Sequence, residues 1–242
     1  MLILALDSTA TAASVAVCQD ERPLASFTVD NGNTHSETLL PMIQAVLHTL
    51  SLTADDIDLF ACTAGPGSFT GVRIGAATIK GLAFAKEKPC IGVSSLESLA
   101  CACAVKDGII CPVINARKFV YYALFCAKDG KLTRLCEDDI VAIGELDAAV
   151  SAVLATADPT LPIYLTGDGW EIAQRALPSL SASLQETPVP LRGQNACCIA
   201  QLALKALREG NVEDFSDRTL APVYLRPCQA ERDTNERLNA KS

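Results

Sequence analysis

The chain has no run of the ~20 consecutive apolar residues that a membrane-spanning helix requires. The stretch from Gly81 to Ala85 ends at once in Lys86 and Glu87. The N-terminus, MLILALDS, has neither a basic region nor a long apolar core ahead of a cleavage site, so no signal peptide is expected there. Positive charge is scarce: 20 Lys and Arg stand against 28 Asp and Glu, a formal net charge of -8. Such a chain is a poor stand-alone binder of phosphate backbones, whose affinity comes from Lys and Arg releasing counterions. Aromatic residues make up only 5%, which weakens a base-stacking role. Histidine occurs only twice, as His35 and His48, and no Ser-His-Asp or Cys-His arrangement can be assembled. A histidine-dependent hydrolase is thereby disfavoured. No C-x-x-C spacing occurs among the eleven cysteines, and neither histidine lies near one in sequence, so no zinc site is expected. Most cysteines sit in apolar runs, such as Cys18 in SVAVC and Cys62 in LFACTA. Buried free thiols in a reducing cytosol fit that placement better than disulfides.

What is present is a core. Half of the 242 residues are hydrophobic and 20% are charged, enough for two compact lobes or one large domain. Residues 2–6, 14–18 and 23–29 read as an antiparallel meander. A helix follows, capped by Thr34 or Ser36, with Glu37 three residues after Thr34 as a capping box requires. Its apolar face comprises Leu39, Met42, Ile43, Val46 and Leu50, widened by Leu40 and Leu47. Pro41 is tolerated in a first turn, which predicts a start near residues 36 to 38. Residues 58–63 return as a strand. The glycine-rich loop Gly65-Pro66-Gly67-Ser68-Phe69-Thr70-Gly71 then opens a helix, VRIGAATIKGLAFA. A strand at 90–93 and a helix at 94–104, capped by Ser94, complete a mixed α/β lobe with parallel pairing in its second half.

A second lobe starts near Ile109, with strands at 109–115 and 119–126, a helix at 145–155 and a strand at 163–166 ending in Gly167-Asp168-Gly169. Helices at 170–176 and 195–209 follow, and 222–227 is the last ordered piece. The expected division is an N-terminal lobe 1–106, a C-terminal lobe 107–228 and a mobile tail 229–242. Both lobes begin with paired strands, a hint of duplication.

Four features point towards chemistry or assembly. The loop from Gly65 to Gly71 could face an anion with its backbone N–H groups, or could be a close-packed turn. It is not a P-loop, because no glycine precedes Lys80 as that motif demands. Asp7-Ser8-Thr9 and Gly167-Asp168-Gly169, one per lobe, could flank a nucleotide cleft or could be ordinary turns. The candidate nucleotide contacts are therefore Asp7, Ser8, Thr9, Gly65, Gly67, Gly167, Asp168 and Gly169. The helix after the glycine loop is apolar nearly all round. Val72, Gly75, Ala76, Ile79, Leu82 and Ala83 form one face, and Ala77, Gly81, Phe84 and Ala85 fill much of the rest. Such a helix needs cover on more than one side, by its own sheet and by a second polypeptide. The expected partner interface joins that face to Leu39, Met42, Ile43, Val46, Leu47 and Leu50.

ILALDSTATAASVAV, THSETLLPMIQAVL, CTAGPGSFTGVRIGAATIKGLAFA, LTGDGW and PVYLR, in this order, resemble the bacterial TsaB (YeaZ) family over nearly the whole chain. The resemblance implies an actin-like ATPase (ASKHA) fold of two related α/β lobes. It implies a paralogue of TsaD, the subunit that transfers a threonylcarbamoyl group to N6 of adenosine 37 in tRNAs reading codons that start with A. The implied role is a cytoplasmic scaffold that binds and activates TsaD. TsaE joins the larger complex, a homodimer forms in TsaD's absence, and tRNA is met only indirectly. No cofactor or metal of its own is implied, although ATP or ADP could lie at a complex interface. TsaD carries H-x-x-x-H where this chain has Ser95 and Leu99, and Leu99 cannot ligate a metal. The family's frequent D-A-R hairpin is Asn115-Ala116-Arg117 here. The competing expectation is a stand-alone ATP-binding or ATP-hydrolysing enzyme. Direct tRNA binding rests only on Lys80, Lys86 and Lys88, which a solvated helix end explains better.

Overall fold

A computed structural model of the chain describes residues 1–104 and 107–225. The expected tail 229–242, the junction at 105–106 and the end of the 222–227 segment lie outside the described residues. Strands β1 (Leu2–Asp7), β2 (Ala13–Gln19) and β3 (Arg22–Val29) form the antiparallel meander. Helix α1 (His35–Thr49) leads to β4 (Leu59–Gly65), which pairs in parallel with β1. Helix α2 (Phe69–Lys86) leads to β5 (Cys90–Ser94), parallel to β4, and helix α3 (Ser95–Cys103) follows directly. The sheet order is β3-β2-β1-β4-β5.

The second half repeats this plan. Strand β6 (Gly108–Ala116) turns into β7 (Phe119–Tyr122) and β8 (Phe125–Lys128), and β9 (Lys131–Arg134) and β10 (Asp139–Ala142) follow. Helix α4 (Leu146–Leu154) leads to β11 (Ile163–Thr166), parallel to β6. Helix α5 (Trp170–Ala176), the short β12 (Leu184–Gln185) and helix α6 (Ala196–Glu209) complete it. The order β10-β7-β6-β11-β12 matches the first sheet strand for strand, with β8 and β9 extending the antiparallel side. The repetition is thus complete down to the placement of helices.

The last helix of each half crosses to the other sheet. Leu96, Leu99, Ala100 and Cys103 of α3 pack with Ile110, Ile114 and Phe125 of the second sheet. Ala196, Ile199, Ala200, Ala203, Leu204 and Leu207 of α6 pack with Ile3, Ala5 and Ala61 of the first. The chain boundary near residue 106 separates the strands, but it does not separate the packing.

Three local expectations are corrected. Helix α1 begins at His35, capped by Thr34 with Glu37 completing the capping box, so Pro41 falls in its second turn. Pro41 is exposed, and water can satisfy the Glu37 carbonyl that loses its helical donor. Helix α2 begins at Phe69, inside the glycine-rich segment, because Ser68 Oγ accepts the Gly71 N–H at 3.3 Å and caps it there. The single strand expected at 119–126 is interrupted at Ala123-Leu124. The pairs Val113–Tyr122 and Ile110–Phe125 share one register, which places the interruption opposite Pro112 and Cys111. Proline has no N–H to donate to the ladder.

Candidate functional site

Helices α1 and α2 pack together over one face of the first sheet and share its core. That packing corrects the expected partner interface. Leu39, Met42, Ile43, Val46 and Leu47 of α1 are buried, as are Val72, Gly75, Ala76, Ile79 and Ala83 of α2. They meet Leu4, Leu6, Val15, Val17, Phe60 and Cys62 of the sheet, so the chain covers this face itself. Leu50 and Leu82 are half-buried against the same core. The periodicity located a true apolar face, but that face points inward.

The outward sides of the two helices are what remain. On α1 they carry Leu40, 52% exposed, with Pro41 and Ala45. On α2 they carry Phe84, 72% exposed, with Ala77, Gly81 and Ala85. Leu40 and Phe84 are the large apolar side chains of these two helices that stand exposed. Sequence reading counted Leu40 with the inward face and left Phe84 unassigned. On a helix apolar nearly all round, spacing cannot separate inside from outside.

The cleft candidates fall into two groups. Asp7, Ser8 and Thr9 are buried at the end of β1. Thr9 donates to Asp7 Oδ1 from its backbone N–H at 2.7 Å and from Oγ1 at 2.9 Å. Burial pushes the Asp7 carboxyl above its ordinary value, and the Thr9 hydrogen bonds oppose that shift. Ser8 Oγ donates to the Gly71 carbonyl at 2.8 Å, and the Ser68 N–H donates to the Thr9 carbonyl at 2.9 Å. Gln194 Nε2 reaches Thr9 Oγ1 at 3.2 Å from the segment before α6. The His35 ring nitrogen Nε2 lies 2.7 Å from the Ala10 carbonyl.

The glycine loop is pressed directly onto this strand end. A β-carbon on Gly67 would lie 2.7 Å from Thr9 Cβ, one on Gly75 2.5 Å from Ser8 Oγ, and one on Gly71 would overlap the Ser8 carbonyl oxygen. Gly65, at φ +113°, turns β4 under the Val223 carbonyl, while the Val223 N–H donates to the Ala64 carbonyl at 2.7 Å. No side chain larger than glycine's fits between Gly67 and Thr9 as they stand. The loop is thus closely packed at Gly65 and Gly67, against Val223 and Thr9.

Gly167-Asp168-Gly169 closes against the second sheet instead. The Gly169 N–H donates to the Val113 carbonyl at 3.0 Å, the Gly167 N–H to the Arg192 carbonyl at 2.9 Å, and Asp168 Oδ1 accepts the Asn115 N–H at 2.9 Å. Asn115 Oδ1 accepts the Arg117 N–H at 2.9 Å, an Asx-turn contact at the hairpin between β6 and β7. Among the described residues no hydrogen bond joins this loop to Asp7-Ser8-Thr9.

Ser95 and Leu99 sit one turn apart on α3 and are both buried. Leu99 packs in the second core. Among the described residues no group of three or more His, Cys, Asp or Glu side chains could hold a metal ion. The described cysteines are all free. No helix of the described residues is long and apolar enough to cross a membrane. Two of the three lysines in the basic cluster are engaged within the chain. Lys80 Nζ donates to the Leu220 carbonyl at 3.2 Å, and Lys86 Nζ pairs with Asp55 at 2.6 Å.

Comparison with known proteins bears on the frame as a whole. The profile of the family described as TsaD: tRNA N6-adenosine threonylcarbamoyltransferase matches residues 30–232. The chain is 32% identical over 146 residues to the tRNA threonylcarbamoyladenosine biosynthesis protein TsaB of Bacillus subtilis, covering 60% of this chain and 64% of that one. It is 41% identical over 126 residues to TsaB of Escherichia coli, covering 51% of this chain and 54% of that one. These matches thus span less than two thirds of the relatives' lengths. The solved structure of YeaZ from Pseudomonas aeruginosa superposes with a TM-score of 0.73 at 27% identity, covering 93% of this chain and 99% of that one. The duplicated, helix-exchanged lobes are those of the actin-like ATPase fold. By its profile match, its TsaB relatives and its shared architecture, the chain belongs to the TsaD family and, within it, to the TsaB (YeaZ) group.

Proposed function

We propose that this chain is a non-catalytic subunit in the biosynthesis of threonylcarbamoyladenosine in tRNA, acting as a scaffold that binds and activates TsaD. The names of its relatives support the pathway. The observation that carries the scaffold role is the uncovered apolar strip on α1 and α2, centred on Leu40 and Phe84. A helix pair of TsaD laid on that strip would bury both side chains. At about 25 cal/mol per Å² of apolar surface, each buried large side chain stabilises such a contact by ~1.5–3 kcal/mol at most. Without TsaD the same strip would join two copies of this chain about a twofold axis. TsaE enters the larger complex, and tRNA is met only through the other subunits. The proposed site of action is the cytoplasm, in keeping with the free thiols.

Several features support a non-catalytic role. The glycine loop lies directly against the backbone of Ser8 and Thr9 at Gly71 and Gly67. Ser95 and Leu99 offer no metal grip where TsaD has histidines. Any ATP or ADP would lie at an interface of the complex, touching this subunit peripherally. Leu40→Glu and Phe84→Glu place charges on the strip while leaving the inward face untouched. The double variant should fold, as judged by circular dichroism, and lose co-purification with TsaD. A folded double variant that retains TsaD at the wild-type level overturns the proposed docking face. Calorimetry with millimolar ATP–Mg on the chain alone should show no binding. Saturable binding with turnover would instead establish a stand-alone ATP-hydrolysing enzyme.

A further inference from the structure

A cavity of about 340 Å³ opens in the second lobe between α5 and β12. That volume suits a small molecule. Leu165 of β11 and Leu184 of β12 give it an apolar wall, and Trp170, the single tryptophan of the chain, gives it an aromatic one. Arg192 braces this arrangement from outside the lining. Its Nε donates to the Thr187 carbonyl at 2.6 Å, its Nη2 donates to Glu186 Oε1 at 2.8 Å, and its guanidinium lies 4.0 Å from the centre of the Trp170 ring. The planar fork thus fixes the indole against the backbone that follows β12.

The polar part of the lining is incomplete. Thr187 is 3% exposed, and its Oγ1 has no hydrogen-bond partner among the described residues. Leaving a buried hydroxyl unpaired is unfavourable, and a molecule in the cavity that exchanges a hydrogen bond with it removes the penalty. The exposed Gln174 and Gln185 also line the cavity, each with an amide that both donates and accepts. The lining contains no cation, and its one charged side chain, Glu186, is already paired with Arg192. A carboxylate or phosphate would therefore find no unpaired partner in it.

We propose that this cavity binds a small neutral heteroaromatic amide, with its ring against Trp170 and its amide group on Thr187 and the two glutamines. The site lies in the second lobe, away from the strip on α1 and α2, so its failure would leave the docking reading untouched.

The test follows the one indole N–H signal of the full chain by nitrogen-15 NMR while nicotinamide, a neutral aromatic carboxamide, is added. The signal should shift and saturate in the millimolar range or below. Nicotinate, the same ring with a carboxylate, should bind at least about tenfold more weakly. Thr187→Val should weaken nicotinamide binding about tenfold, the loss of one hydrogen bond, without lowering the melting temperature of the free chain. Thr187→Ser, which keeps the hydroxyl, should bind as the wild type does. Gln174→Ala changes an exposed side chain, should leave the fold intact, and should weaken binding several-fold. The proposal is overturned if the indole signal stays still or drifts without saturating up to tens of millimolar, or if nicotinate binds as tightly as nicotinamide. It is equally overturned if folded Thr187→Val binds like the wild type. Should Thr187→Val fail to fold, undiminished binding by Gln174→Ala overturns it.

Discussion

Gly71 and Gly81 lie on the same helix, ten residues apart, and the same substitution should act on them in opposite directions. Alanine is the better helix former by ~0.5–1 kcal/mol at either position, because glycine loses more backbone freedom on folding. At Gly81 a β-carbon meets no atom within 4 Å, so Gly81→Ala should gain that amount. At Gly71 the same carbon overlaps the Ser8 carbonyl oxygen, which is backbone and cannot rotate away. Relief requires α2 to lift from the end of β1. That movement would stretch the bonds from Ser8 Oγ to the Gly71 carbonyl at 2.8 Å and from the Ser68 N–H to the Thr9 carbonyl at 2.9 Å. Overpacking of this kind costs ~1–3 kcal/mol, towards the upper end when backbone must move. Less the propensity gain, Gly71→Ala should lose about 2 kcal/mol. With a urea slope of ~2 kcal/mol per molar, the midpoint should fall by about 1 M for Gly71→Ala and rise by a few tenths of a molar for Gly81→Ala. Urea titration by circular dichroism at neutral pH reads both. If Gly71→Ala matches or exceeds the wild-type midpoint, the loop is not the close-packed turn described, and an open, ligand-facing loop becomes the better account.

Asp7 bears on pH. Its folded pKa is raised by burial, so the native state holds a proton that the unfolded chain releases. The stability it contributes is present below the ordinary aspartate value of 3.8 and is lost as pH rises through the raised folded value. The Asp7→Asn variant should lack that fall, and urea midpoints measured from acid to neutral pH should diverge from the wild type in the variant's favour as pH increases. Arg134 pairs with Asp138 at 2.6 Å and Glu97 at 3.0 Å, with all three side chains largely shielded from water. Ser94 adds a bond to Asp138 at 2.5 Å while capping α3. Arg134→Ala leaves two carboxylates without their cation, and after discounting for partial exposure it should lose ~1–2 kcal/mol, read as a lowered melting temperature. Arg134→Lys should restore part of that loss, since a single ammonium cannot fork to both acids.

Much of the order of elements was legible because those segments carry their own local signals. The meander shows as short β-rich runs, and α1 and α3 show as capped periodic segments. The short strands β9 and β10 gave no such signal: KLTR is mostly polar, and only pairing with β8 and β7 makes strands of these segments. The break opposite Pro112 is likewise invisible until the strand partner is known. For the candidate site, the sequence pattern located the apolar faces of α1 and α2 without telling which side of each helix faces the chain's own sheet. Ile79 and Phe84 look alike in composition, yet one is wholly buried and the other is 72% exposed. The neighbour that decides between them is a sheet assembled from residues far away in the chain. The glycine loop was recognisable as special, but only the Ser8 and Thr9 backbone lying against it separates a packed turn from an anion cradle.

Reconstitution of tRNA modification tests the scaffold role most directly. Purified TsaD, the threonylcarbamoyl donor and substrate tRNA are combined with and without this chain, and modified adenosine is measured by mass spectrometry of tRNA digests. Modification should depend on the wild-type chain and should fail with the folded Leu40→Glu, Phe84→Glu variant. Equal modification by TsaD in the chain's absence would contradict it.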